Sequence, residues 1–176
     1  MLSRIFLVLL FLLCGGMQLV HADGARGIVV VGAGQTTADQ DDFSGNATAF
    51  RLGSGFQATK SSSIEIYWTS YGEAEDQVAG ADFKAEAFSM VLQYGYHYPL
   101  GAGIDLLAKV GFALWKTNYG FAGFSKVQDD GTDPVVALGT EIDIGGDWAV
   151  RVEWEYAQFD DTDVSLVSAG LLSYFD

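Results

Sequence analysis

From Arg26 onward the chain repeats one pattern: runs in which bulky apolar side chains alternate with small or polar ones at a period of two. Eight such runs stand at about 26–36, 46–57, 63–71, 85–98, 104–115, 134–144, 148–158 and 164–175. Successive side chains of an extended strand point to opposite faces, whereas an amphipathic helix repeats its apolar residues every three or four positions. The pattern therefore predicts strands throughout and no helix. The fifth run is the clearest. Ile104, Leu106, Ala108, Val110, Phe112 and Leu114 share one face, and Asp105, Lys109, Gly111 and Ala113 share the other. In the seventh, Trp148, Val150, Val152, Trp154 and Tyr156 oppose Ala149, Arg151, Glu153, Glu155 and Ala157. The second sets Phe50, Leu52 and Phe56 against Ala47, Ala49, Arg51, Gly53 and Gly55, and the sixth sets Val136, Leu138, Ile142 and Ile144 against Ala137, Gly139, Glu141 and Asp143.

The polar face carries single charges diluted by glycine and alanine. A solvent-facing sheet would carry Lys, Glu, Thr and Ser throughout. Small residues with a few charges suit the cramped interior of a narrow barrel, and large apolar residues suit a lipid-facing exterior. Ten-residue alternating segments, an even strand count and aromatics near segment ends are the signature of a transmembrane barrel. Trp68, Tyr96, Tyr98, Trp115, Trp148, Trp154, Tyr174 and Phe175 lie near predicted ends and are read as the aromatic girdles. Composition agrees: 22 glycines against 2 prolines favour sheet over helical bundle, and 49% hydrophobic with 14% aromatic residues exclude a disordered chain. A formal net charge of -14 excludes nucleic-acid binding.

The connections alternate as well. Those at about 37–45, 72–84, 116–133 and 159–163 are long and acidic, while those at 58–62, 99–103 and 145–147 are short. Long loops outside and short turns on the periplasmic side are the expected asymmetry of an outer-membrane barrel. The acidic connections hold Asp39, Asp41, Asp42, Glu73, Glu75, Asp76, Asp82, Asp129, Asp130, Asp133, Asp160, Asp161 and Asp163. They lack the spaced oxygen ligands of a calcium loop, so they are read as solvated, with Asp129-Asp130-Gly131 as a turn. Pro99 and Pro134 are read at a turn and at a strand start.

Residues 1–22 are set apart. Arg4, the apolar run Ile5 to Leu13, Gly15, Gly16 and the tripeptide Val20-His21-Ala22 form the three regions of a secretory signal, with cleavage expected after Ala22. Cys14 raises the alternative of an acylated cysteine, but Leu13 before it is not small. Residues 23–176 hold no cysteine, hence no disulfide or thiol chemistry. Their one histidine, His97, sits beside Tyr98 and Pro99 and is read as interfacial; no serine or carboxylate is evidently placed to make it a triad base. No enzyme activity, metal site or cofactor is expected. Gly32-Ala33-Gly34 precedes no helix and is not a dinucleotide loop.

The segments Gly111-Phe112-Ala113-Leu114-Trp115, Asp147 to Trp154 and Ser168-Ala169-Gly170-Leu171, with the acidic Gly72-Glu73-Ala74-Glu75-Asp76 after the third strand, resemble the transmembrane domain of outer-membrane protein A (OmpA) and its relatives. The resemblance spans nearly all of 23–176 and implies an all-β, eight-stranded antiparallel up-and-down transmembrane β-barrel in the Gram-negative outer membrane. It implies as partners the outer-membrane lipid and lipopolysaccharide, and the barrel-assembly machinery that reads a C-terminal aromatic; here Phe175 is followed by Asp176. A cell-wall tether does not carry over, since the chain stops at the barrel. The lumen charges are expected to be Arg51, Glu65, Glu86, Lys109, Glu141, Arg151 and Glu153, paired because an eight-stranded interior is just filled by side chains. By resemblance, such a network plugs the barrel or gates a narrow path. The favoured role is structural, with loops at the cell surface. The alternatives are a narrow gated pore for ions or small solutes, and a secreted lipocalin-like barrel with its Leu, Val and Phe inside around an apolar ligand.

Overall fold

The computed structural model describes residues 25–40, 43–78, 81–121 and 127–176. The expected signal segment 1–22 and the tips 41–42, 79–80 and 122–126 lie outside the described residues. Eight strands follow in order: β1 (Arg26–Gln40), β2 (Phe43–Thr59), β3 (Ser62–Val78), β4 (Ala81–Gly101), β5 (Ile104–Phe121), β6 (Val127–Gly145), β7 (Trp148–Phe159) and β8 (Thr162–Phe175). Each pairs antiparallel with the next, and β8 pairs with β1 to close the ring. Closure leaves the barrel without an open sheet edge where the eight strands pair in a ring, which lipid around a barrel demands.

The alternation in the sequence becomes an inside and an outside. Along β7, Ala149, Arg151, Glu153, Glu155 and Ala157 are buried while Trp148, Val152 and Trp154 are exposed. Large apolar side chains on the outer face stand bare: Phe112 is 62% exposed, Val110 59%, Phe50 58% and Leu138 57%. Such a continuous apolar exterior is the inverse of a soluble protein. It rules out the lipocalin-like arrangement, which needs the same residues inside.

Inward glycines let neighbouring strands approach. A Cβ on Gly111 would lie 1.9 Å from the Leu92 carbonyl oxygen, and one on Gly34 would lie 2.1 Å from that of Val167. The end that carries Arg26 at the start of β1 and Phe175 at the end of β8 is closed by short turns around Lys60-Ser61, Ala102-Gly103 and Gly146-Asp147. Positive φ at Ala102 (54°), Gly103 (73°), Gly145 (104°) and Gly146 (64°) supplies the left-handed backbone that tight hairpins use. We call this the turn end and its opposite the loop end.

The strands outrun their predicted limits at the loop end. The β5–β6 ladder continues to Tyr119↔Val127, and β3–β4 to Val78↔Ala81. The connections expected at 116–133 and 72–84 are thus largely hairpin ladder. Asp129-Asp130-Gly131 is strand, not turn, in register with Thr117, Lys116 and Trp115. Pro134 lies within β6, not at its start, and it marks where the β6–β7 ladder stops at Val135↔Ala157. A lipid-crossing strand needs about 9–11 residues; β4 has 21. The surplus lies at the loop end, where Glu73, Lys84, Lys116, Asp129 and Asp130 break the two-residue alternation of apolar and polar residues that marks a strand.

Candidate functional site in the barrel lumen

The lumen is built by strand phase. Phe50 and Leu52 point outward, so Arg51 between them points in. By the same rule β3 delivers Glu65 and Tyr67, β5 Lys109, β6 Glu141, and β7 a column of Arg151, Glu153 and Glu155. All of these are buried, with Lys109 only 2% exposed.

They form one connected network. Arg51 pairs with Glu153 at 2.7 Å and with Glu155 at 2.8 Å. Lys109 reaches Glu153 at 2.5 Å and Glu65 at 3.3 Å. Arg151 bridges Glu65 at 2.6 Å and Glu141 at 2.8 Å. Tyr67 is the hub. Its hydroxyl donates to Glu65 and accepts from Lys109 (2.8 Å) and Arg151 (2.7 Å). Its ring lies 4.1 Å from the Arg51 guanidinium carbon. Three cations thus face four carboxylates. Isolated charges would not survive burial here; each is held by opposite charge and by hydrogen bonds.

The network has neutral supports. Ser63 donates to Glu65 Oε1 at 2.7 Å and so accepts from His97 Nε2, 3.0 Å away. Gln93 donates to Glu155 Oε2 at 3.2 Å. Tyr71 donates to Glu155 Oε1 at 3.3 Å and accepts from Ser89 at 3.0 Å. Toward the loop end an aromatic stack covers the column. Phe159 lies 5.5 Å from Tyr71, edge-on, and 5.3 Å from Trp115, stacked; Trp115 Nε1 donates to Asp133 at 2.5 Å. Toward the turn end Tyr174 donates to Glu141, and Arg26 sits 4.3 Å above the Tyr174 ring while donating to Gln57 at 2.9 Å. A cavity of about 130 Å³ opens there, between Arg26, Asp105, Glu141, Asp143 and Tyr174.

Of the expected lumen set, Arg51, Glu65, Lys109, Glu141, Arg151 and Glu153 lie together. Glu86 does not. It shares the phase of Phe88, Met90 and Leu92, opposite to inward Ser89, Val91 and Gln93, and is only half-buried beside Asn118 in the β4–β5 register. Of the expected girdle, Trp68, Tyr96, Tyr98, Trp148 and Trp154 are exposed on the outer face. Phe175 is half-buried with its ring laid over Gly27, where a Cβ would come within 2.2 Å of it. Trp115 and Tyr174 are corrections: both point into the lumen, Trp115 on the phase of Lys109 and Tyr174 on the phase of Leu172. His97 is corrected likewise, being fully buried inside, not interfacial. The Ser63–His97 pair is enclosed on all sides, which leaves it no face for a substrate. Tyr67, Tyr71, Gln93 and Glu155 were not among the expected site residues, although period two from Glu65 or Glu153 places each tyrosine and Glu155 inward. Among the described residues no three His, Cys, Asp or Glu side chains are grouped to hold a metal ion.

A family model for the outer membrane protein beta-barrel domain matches residues 6–175. Outer membrane protein A of Serratia marcescens is 27% identical over 109 residues, which are 58% of this chain and 30% of that protein. The chain therefore spans under a third of that relative's length. Among solved structures, Neisserial surface protein A superposes with a TM-score of 0.68 at 15% identity, covering 86% of this chain and 99% of that one. Ail, the attachment invasion locus protein of Yersinia pestis, solved in complex with the heparin analogue sucrose octasulfate, gives 0.63 at 13% identity, with the same coverage. The N-terminal barrel of Pseudomonas aeruginosa OprF gives 0.57 at 13% identity, covering 83% of this chain and 97% of that one.

Proposed function

The chain belongs to the outer membrane protein beta-barrel domain family, and from that premise we propose that it is a plugged barrel of the outer membrane, with a structural role in the bilayer and its recognition surface at the loop end. One observation carries the plugged reading. At mid-height the lumen is filled by Arg51 and Lys109 converging on Glu153, and the cavity that Arg51 and Glu153 line there holds only about 10 Å³. A hydrated ion needs far more room. The aromatic stack of Tyr71, Trp115 and Phe159 adds a second barrier above it.

Outer-membrane lipid and lipopolysaccharide are the surroundings this exterior suits, and the barrel-assembly machinery is the route by which a closed ring of this kind is inserted. The loop-end surface is acidic, with Asp129, Asp130, Asp160 and Asp161 all exposed. The surface therefore favours cationic partners and repels polyanions, unlike Ail, which was solved with a sulfated sugar. Purified protein reconstituted into planar bilayers is the test. The plugged reading expects no discrete current steps at either polarity. Regular steps in the wild type, abolished by Lys109→Met, would favour the narrow gated pore instead.

A further inference from the structure

Every charged side chain of the lumen network comes from β2, β3, β5, β6 or β7. The first and last strands contribute none. In register, Arg51 stands beside Gly32, Gly32 beside Gly170, and Gly170 beside Arg151. Two glycines thus separate two arginines around the wall where the ring closes. Over those glycines lies the cavity of about 10 Å³, with Arg51, Arg151, Glu153 and Ser168 in its walls. Arg51 is 5% exposed, and its Nε–H has no acceptor among the described residues although both of its Nη atoms are bonded. Glu153 Oε2 takes the charge of Lys109 at 2.5 Å but receives no well-aligned hydrogen bond.

A buried donor of a charged group without an acceptor keeps the full desolvation penalty of that group. A space of roughly 10–15 Å³ on this measure holds one water, provided two to four polar partners surround it. We propose that this cavity is a binding site for a single ordered water. The water accepts from Arg51 Nε and donates to Glu153 and to the Ser168 hydroxyl. It thereby ties the charge network to β8, which also meets it through Tyr174 on Glu141. The charge balance selects water over a halide ion. Four carboxylates already outnumber three cations, so an anion would add to an existing excess, whereas water supplies both the missing acceptor and a donor. The two glycines line the cavity and let β1 and β8 approach closely beside it. A Cβ on Gly32 would lie 2.9 Å from the Ala169 carbonyl oxygen, and one on Gly170 would lie 3.0 Å from that of Val31.

The test is magnetisation transfer from water to the Arg51 Nε–H and the Gly32 and Gly170 amides, read by NMR on the full barrel in lipid nanodiscs. The expected result is a long-lived water contact at Arg51 Nε–H in the wild type. It should weaken at least several-fold in Ser168→Ala, checked to be folded by its heat-modifiable gel mobility. Absence of that contact in the folded wild type overturns the proposal, and this measurement needs no variant. Saturable shifts of the same three signals on titration with millimolar sodium bromide would also overturn it, since the occupant would then be an anion.

Discussion

Lys109 meets Tyr67 twice: its ammonium lies 2.8 Å from the phenol oxygen and 4.6 Å from the centroid of the same ring. The phenol oxygen also accepts from Arg151 and donates to Glu65. One neutral hydroxyl therefore organises two cations and a carboxylate. Tyr67→Phe keeps the ring under Arg51 and removes the hydroxyl alone. Hydrogen bonds to charged groups contribute about 1.5–3 kcal/mol. The expected outcome is a barrel that still folds but unfolds earlier in urea by about that amount, read as loss of the folded gel band in lipid vesicles. An unchanged midpoint would show that the hub is not energetically central.

Removing a charge should cost more. Lys109→Met leaves Glu153 with Arg51 alone and Glu65 with Arg151 alone, and raises the excess of buried negative charge. Breaking one partner from a buried pair costs about 3–5 kcal/mol. The matched double variant, Lys109→Met with Glu153→Gln, removes the uncompensated carboxylate too. It should recover a substantial part of the loss, giving a coupling of at least about 1 kcal/mol in a double-mutant cycle. Additive losses would mean that the 2.5 Å contact carries no pairwise energy.

The phase of each strand was legible wherever its two faces meet different media. In β5 and β7 one face meets lipid and the other a packed lumen, so Lys109, Arg151 and Glu153 could be placed inward from alternation alone. Reading by residue type failed where it overrode phase. Trp115 and Tyr174 are aromatics near strand ends, yet they sit on inward positions, and there they cap the two ends of the charge column. Glu86 is a charge, yet it sits on an outward one. The hairpin extensions beyond the bilayer were invisible because Glu73, Asp129 and their neighbours occupy both faces. The pairings themselves were not legible either. Arg51 and Glu153 are 102 residues apart, and only the closed ring and its register bring them to 2.7 Å.

The β4–β5 turn offers a stabilising change. Ala102 adopts φ of 54°, between Gly101 at 93° and Gly103 at 73°. Its Cβ clashes with the following carbonyl in this left-handed conformation, at a cost of about 1–2 kcal/mol. Glycine relieves that clash but loses about 0.5–1 kcal/mol of chain entropy. Ala102→Gly should therefore raise stability by about 0.5–1 kcal/mol without altering the fold, measured as a higher urea midpoint. A fall would place the strain elsewhere in the turn.

The four tryptophans divide by what surrounds them, and this separates a lipid-facing exterior from any other. Trp154 is 41% exposed on the outer face, stacked at 6.2 Å on Tyr156 and anchored by its Nε1–H to Ser165 at 2.7 Å. Trp115 is 5% exposed inside the barrel, against Phe159. Heavy-atom quenching acts only at contact distance. In vesicles of phosphatidylcholine brominated on its acyl chains, a variant with Trp154 as its sole tryptophan (the others changed to Phe) should lose most of its emission. A variant retaining only Trp115 should keep most of it, because the barrel wall stands between its ring and the bromines. Comparable quenching of both would mean that Trp115 reaches lipid, and the inward phase assigned to β5 from Lys109 through Trp115 would fall with it.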